Sequence, residues 1–486
     1  MAEKDELVKI VGAENVTDDP KILEEYSRDM SFTAPGATQY VVKPKNVGEV
    51  QALVKLANTT STPLVAVSSG PPRFRGDTIP RYGGVVVDLS DMKRIINIDR
   101  GNRVVMIEPG VRFGELQEAA KKEGMRVPVP LCPRSSKSVI GSMLEREPHI
   151  IPKYHLDMCD PLLCLEIIFG TGDLFHTGEA AGPGTIEEQW QVGRHQKDPM
   201  GPSMVGYAKL VQGSQGTLGI VTWATVRCEV LPQIQKPFLV ASDRIEALID
   251  FAYRILRLRL GDECLLLNSS NLASILTNNG RDVEALRGIL PPWVLLVTIA
   301  GYEWLPEERI EYQEKDTMEV ARQFGVQPLP AVPGAWAWEV LRSLSQPSEE
   351  PYWKLRHKGG CQDIFFITTL NKTPEFIRAM HGVAQEKGYP VTDMGVYIQP
   401  VSQGHGCHCE FNLTYDPSSP EERARIQDLF SSASETVMRM GGFFSRPYGS
   451  WADIVYNRDA ATRDALVKIK GIFDPNGILN PGKLCF

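Results

Sequence analysis

Residues 63–76 read Pro63-Leu64-Val65-Ala66-Val67-Ser68-Ser69-Gly70-Pro71-Pro72-Arg73-Phe74-Arg75-Gly76. The apolar run is a buried strand by its composition, and it stops in a turn of small residues, prolines and two arginines. Small residues let backbone N–H groups approach an anion closely, and Arg73 and Arg75 add positive charge, so the turn is a candidate diphosphate cradle. Taken alone, it reads equally as an exposed loop with two solvated arginines.

On either side of this turn, strand and helix signals alternate. Tyr40-Val41-Val42 is a strand, and Asn46 is placed to cap a helix carrying Val50, Leu53, Val54 and Leu56 at helical spacing. Strands follow at 85–89 and 104–108, and a helix over 113–123 stops at Gly124. This interleaving without long linkers indicates an α+β or α/β domain. From Leu231-Pro232 the glycine-rich character fades. A second region then carries helical patterns at 244–258, 307–324, 374–387 and 420–440, and strand patterns at 294–300, 363–369 and 408–415. Residues 449–486 read as a helix pair with a rigid Pro/Gly tail. There is no internal repeat.

The chain has 486 residues, with 52 Lys+Arg against 60 Asp+Glu for a net charge of −8. Such a surface repels phosphate backbones, so no nucleic-acid partner is expected. No apolar run approaches the ~20 residues of a membrane helix, and no membrane span is expected. The charged start, Glu3-Lys4-Asp5-Glu6, is unlike a secretory signal. Nine scattered cysteines read as reduced thiols, and a cytoplasmic location is expected.

Three more segments carry chemistry. Pro133-Arg134-Ser135-Ser136-Lys137-Ser138-Val139-Ile140-Gly141-Ser142 is dense in hydroxyls that suit a nucleotide cofactor, or caps a helix. Gln212-Gly213-Ser214-Gln215-Gly216-Thr217-Leu218-Gly219-Ile220-Val221 enters a strand with the tight backbone path that passes a bulky group. It matches neither a Walker loop nor a nicotinamide fingerprint. Asp474-Pro475-Asn476-Gly477 is a turn, and Asn480-Pro481-Gly482-Lys483 follows it in a tail structured enough to be docked on the rest of the chain.

Together these segments resemble the vanillyl-alcohol oxidase / para-cresol methylhydroxylase superfamily of flavoproteins from about Tyr40 to Phe486. Two branches compete. Ser138–Gly141 with Leu144-Glu145-Arg146, and Arg446 before Asp453, are similar to the 4-alkylphenol oxidase and 4-cresol dehydrogenase branch. Gly178, Gly213–Ile220 and Asn480–Lys483 are equally similar to the D-lactate/glycolate dehydrogenase branch. The resemblance implies an α+β fold: a two-subdomain PCMH-type FAD-binding domain over residues 1–232, and an α+β substrate (cap) domain with an antiparallel sheet over 233–445. Residues 446–486 would return to the FAD-binding domain.

The resemblance also implies bound, noncovalent FAD. Its contacts would come from Ser68, Ser69, Gly70, Pro71, Arg73, Phe74, Arg75 and Gly76 in the first loop. The hydroxyl loop would add Cys132, Pro133, Ser135, Ser136, Ser138, Val139, Gly141 and Ser142. Tyr154, His155, Gly216, Gly219, Ile220, Val221, Arg446 and Asn480 complete the set. Cys132 and His408 are the candidates for a covalent flavin link.

Arg446 would stabilise negative charge at the flavin or on a substrate oxyanion. Ser445 stands where the phenol branch has a tyrosine, which argues against a simple 4-alkylphenol, and Tyr448 is the candidate substitute. In Gly404-His405-Gly406-Cys407-His408-Cys409-Glu410, a strand would send His408 and Glu410 to one face and Cys409 to the other. His408 is then either a base on a substrate hydroxyl or a hydrogen-bonded structural histidine. The cluster lacks the Gly-Asp-Gly-Asn run of metal-binding relatives, so no metal is expected.

The implied activity is an FAD-dependent dehydrogenase or oxidase that takes hydride from a small alcohol, 2-hydroxy acid or 4-hydroxybenzylic carbon. The alternative is a flavin-holding, electron-relay or assembly subunit of a larger redox complex. The expected partners are a small-molecule substrate, an electron-transfer protein and further copies of the chain in a homo-oligomer.

Overall fold

The computed structural model describes residues 3–153, 160–201, 206–278 and 280–486. Helix Val47–Thr60 starts where expected, with the Asn46 side chain accepting the Glu49 amide at 3.0 Å. It packs Val50, Leu53 and Val54 onto a four-stranded sheet in the order Val16–Thr17, Thr38–Val42, Gly84–Asp88, Leu64–Val67. Its last two pairings are parallel. Both candidate cofactor loops of the first half stand beside this layer, because the cradle turn leaves the edge strand Leu64–Val67 directly.

A second sheet of five antiparallel strands follows in the order Ile95–Asp99, Val104–Ile107, Gly219–Arg227, Leu162–Phe169, Leu174–His176. The glycine-rich run thus enters the central strand of this sheet, at Gly219. A side chain at Gly219 would meet the Ile167 side chain at 2.6 Å, so close strand packing accounts for that glycine.

The cap domain is built on a seven-stranded, fully antiparallel sheet ordered Pro328–Leu329, Ile234–Ser242, Trp293–Gly301, Cys264–Asn268, Met394–Val401, Gly406–Tyr415, Gly360–Thr368. The sheet alternates in the way expected for strand Gly406–Tyr415. Cys407, Cys409, Phe411 and Leu413 pack into a core with helices Thr373–Glu386 and Pro420–Arg439, while His408, Glu410 and Asn412 take the other face. The expected strand–helix elements of the second half are present, including the helix pair Ser450–Tyr456 and Ala460–Phe473.

The C-terminal segment divides between the domains. Phe444, Tyr448 and Trp451 pack in the cap core. The return is made further on, where Phe473 packs on Phe169 and Ile478 and Leu479 join the core of the first sheet. Leu64 donates to Ile478 O at 2.7 Å, and Asn480 donates back to Leu64 O at 2.8 Å. The tail is docked as a short parallel bridge on the strand that feeds the cradle.

Candidate functional site

A cleft runs between the cradle turn, the hydroxyl loop and the glycine-rich run. Ser68, Ser69, Arg73, Phe74, Arg75, Gly141, Gly216, Gly219, Ile220 and Val221 line it. Gly216 has φ +72°, and a Cβ there would meet nothing within 4 Å, so the backbone is left open toward the cleft.

The hydroxyl loop is spent on building itself rather than on presenting free hydroxyls. Ser138 caps helix Val139–Leu144, accepting the Gly141 amide at 2.9 Å and donating to Pro109 O at 2.5 Å. Ser136 bonds to the carbonyls of Gly70 and Pro71, Ser142 to Glu147, and Ser135 to Glu350. Ser69 Oγ accepts the Ser138 amide at 3.0 Å, so the loop locks the cradle in place. Val139 and Cys132 lie in the hydrophobic core, and burial pushes the Cys132 thiol up to about 12. Pro133 lines an inner chamber, whereas Gly76 lies on the outer side of the cradle.

Asn480 acts as a clasp. Its Nδ2 donates to Asp77 O at 2.8 Å and Gln215 O at 2.7 Å, joining the cradle to the glycine-rich run, and Lys483 reaches Gly76 O at 2.6 Å. Tyr154 and His155 lie outside the described residues.

The cations of the cleft include two that the sequence reading did not single out. Lys137 is buried and pairs with Glu145 at 2.7 Å and Glu147 at 3.5 Å, and Arg134 donates to Gly70 O and Pro72 O. Arg75 stands over the Phe365 ring at 4.5 Å and the Tyr448 ring at 5.2 Å. Arg446 lies over the same Phe365 ring at 4.2 Å. Arg73 is turned onto Tyr26, 4.4 Å from the ring centre. Burial works against the Glu147 carboxylate, but Lys137 and Arg75 prevail and hold it below its ordinary range.

Inward, the cleft continues into a small chamber walled by Tyr352, Trp353, Lys354, Tyr397, Glu410 and Arg446. Glu147, Pro148 and Arg446 join this chamber to a further cavity of about 380 Å³ that reaches His408 and Ser445. His408 Nε2 bonds to Glu410 Oε2 at 2.9 Å. Burial lowers the basicity of His408, and Arg446 and Lys354 add to this against the opposing pull of Glu410, so the ring is neutral near pH 7. Arg446 is 3% exposed, and its Nη1 has no hydrogen-bond partner among the described residues. Burial, reinforced by Arg75, disfavours its charge.

Lys354, Asp363 and Tyr397 line the site but carry no signal in the sequence, whereas Glu410 was placed beside His408 without a role. Asp363 and Tyr397 needed the strand register, in which Phe365 and Tyr397 both oppose Glu410. No motif marks Lys354.

The one His/acid grouping with metal-compatible spacing among the described residues is Glu284, His357 and Asp393. Arg287 and Lys358 already neutralise it, at 3.0 and 2.9 Å from Asp393.

A dinucleotide fits the donors present. The cleft is walled by the cradle turn, the hydroxyl loop and the glycine-rich run together. It carries Arg75, Arg134 and Lys137 for a diphosphate and the open backbone at Gly216. In the adjoining inner chamber, Arg446 holds a donor with no partner among the described residues.

Comparison with known proteins gives a consistent picture. The family described as FAD binding domain matches residues 38–178, and that of FAD linked oxidases, C-terminal domain, matches residues 353–484. D-2-hydroxyglutarate dehydrogenase of Stutzerimonas stutzeri is 24% identical over 501 residues, covering 99% of this chain and 98% of the relative. The 4-cresol dehydrogenase flavoprotein subunit of Pseudomonas putida is 23% identical over 528 residues, covering 98% and 93%. In structure, the chain is similar to 4-ethylphenol oxidase from Gulosibacter chungangensis, with a TM-score of 0.83 at 20% identity over 99% of this chain and 95% of that one.

Proposed function

We propose that this chain, an FAD-dependent oxidoreductase with both domains of the FAD linked oxidases, oxidises a small 2-hydroxy acid. The observation that carries the proposal is Arg446, a buried guanidinium with an unpartnered Nη1 in the cavity that also holds His408. A buried charge without a hydrogen-bonded counterion costs free energy, and a substrate carboxylate offsets that cost on binding.

With the carboxylate at Arg446, His408 takes the proton of the neighbouring hydroxyl on its ring nitrogen as the C–H bond breaks. Glu410 stabilises the imidazolium that forms. FAD, when bound, would supply the two-electron acceptor for the hydride. The product is the 2-oxo acid. Ser68, Ser69, Arg75, Gly141 and Gly216 would hold this cofactor, and Cys132, which faces the core, is not placed to link it. An electron-transfer protein takes the electrons onward.

The name of the Stutzerimonas relative supports this substrate class. A second reading, a 4-hydroxybenzylic substrate, is favoured by the aromatic walls Tyr352, Trp353 and Tyr397, with Arg446 then facing a phenolate.

The test is anaerobic bleaching of the FAD-loaded protein by D-lactate, glycolate, D-2-hydroxyglutarate and 4-alkylphenols. Bleaching by a 2-hydroxy acid is expected. Bleaching by phenols alone would replace this reading with the second, and bleaching by none would leave a flavin-holding subunit.

Gly216→Ala tests the cleft itself. The methyl group occupies space left for the cofactor and forces a left-handed backbone costing about 1–2 kcal/mol. FAD affinity falls by about tenfold or more, read by titrating the apoprotein and following flavin fluorescence.

A further inference from the structure

We propose that Lys354 is a positioning residue for His408: it clamps Glu410 from behind, fixing Nε2–H as the donor and leaving the Nδ1 lone pair for the substrate. This rests on His408 being the base, and adds the group that orients it.

Lys354 sits in the short turn Trp353–Leu355 with its side chain 8% exposed. Its Nζ lies 2.5 Å from Glu410 Oε1 and 2.6 Å from Asp363 Oδ2. The other Glu410 oxygen, Oε2, is the one bonded to His408. Asn412 Nδ2 bridges Glu410 Oε1 and Asp363 Oδ1 at 2.8 and 2.7 Å, and Asn271 Nδ2 in turn holds Asn412 Oδ1 at 2.7 Å. Gly395 makes room for that last bond, because a Cβ there would stand 1.9 Å from Asn271 Oδ1. The carboxylate is therefore fixed in place as well as paired.

A carboxylate held by an ammonium stays ionised, and an ionised carboxylate only accepts hydrogen bonds. Burial opposes the Glu410 charge, but Lys354 and His408 hold it well below the ordinary carboxylate range. Nε2 must then carry the ring proton, and in the neutral ring Nδ1 is the acceptor.

The charged and titratable groups around the ring are Glu410 on its own strand, Tyr397 on the neighbouring strand and Lys354 on the turn. Arg446 comes from the C-terminal segment, and Arg146, Glu147, His149 and Asp160 from the chain after the hydroxyl run. Burial first, then the cations Arg446 and Lys354, outweigh Glu410 and keep the imidazole neutral and ready to accept. A buried triad of this kind adds little net stability over an apolar filling, so its effect falls on the protonation of its neighbours.

The test uses nitrogen NMR of histidine-labelled, FAD-loaded protein, with the His408 signals assigned by their loss in His408→Asn. The unaltered protein shows a neutral Nε2–H ring at pH 7. Lys354→Met combined with Asp363→Asn removes the cation and one of its two carboxylates, so the charge of the cluster is preserved. In that variant the His408 titration rises by about one pH unit or more. The acid limb of the anaerobic bleaching rate moves up with it, because the base must be unprotonated to act. Lys354→Arg restores both. Glu410→Gln shifts the titration the other way and frees the tautomer. An unchanged tautomer and titration in the double variant would overturn the role of Lys354. Separately, a full bleaching rate in His408→Asn would overturn the base itself, whatever the NMR shows for Lys354.

Discussion

Arg446→Met slows anaerobic flavin reduction by the substrate about 10²–10³-fold, while the protein's resistance to denaturant is unchanged or improved. The rate loss follows from removing a fixed positive charge from a low-dielectric cavity where negative charge is bound or develops, an effect of about 3–4 kcal/mol at comparable sites. The stability follows from the opposite side of the same physics. Among the described residues Arg446 has no ion pair and its Nη1 no hydrogen-bond partner, and burial already disfavours its charge. Replacing such a cation with an apolar side chain of similar length removes a desolvation cost and keeps most of the contact with Phe365. Arg446→Lys recovers only part of the rate, since an ammonium lacks the planar fork that grips a carboxylate. Stopped-flow bleaching alongside urea unfolding separates the two effects. A fall in stability equal to the fall in rate would mean that Arg446 is structural.

Lys470→Met has the reverse signature. Lys470 donates to Thr217 O at 2.6 Å and Leu479 O at 2.9 Å, and pairs with Asp474 at 2.5 Å. Asp474 is wholly buried, and its carboxylate accepts the amides of Ile478 and Leu479 at 3.1 and 2.8 Å. Removing the lysine leaves that carboxylate uncompensated, at a cost of about 3–5 kcal/mol. The tail then opens independently of the rest. Hydrogen exchange over residues 475–486 accelerates by about two to three orders of magnitude, while the cap sheet keeps its protection. FAD affinity falls as well, because the clasp of Asn480 on Asp77 and Gln215 depends on the tail being docked. Unchanged exchange in the tail would show that the Leu64–Leu479 bridge alone suffices.

Much of the fold is local chemistry and was legible in the chain. Asn46 before an apolar helix, Gly124 after one, and period-two alternation through His408 and Glu410 each fix an element within its own few residues. The four glycine-, proline- and serine-rich segments that converge on the cleft and its edge were also visible, because such turns announce themselves by composition. The hydroxyl loop shows where such reading stops. Its serines read as cofactor contacts, yet Ser136, Ser138 and Ser142 are consumed by the carbonyls and carboxylate around them.

The amino-acid order by itself determined the strands, the caps, the cradle turns and the two faces of strand Gly406–Tyr415. Only the tertiary structure decided that Lys354, Asp363 and Glu410 meet, that Arg75 and Arg446 share one phenylalanine ring, and that Asn480 closes the cleft. Those contacts join residues from 9 to 403 positions apart. Backbone propensity acts over a few residues, whereas the pairing of a buried charge is set by whichever partner the packed layers bring within reach.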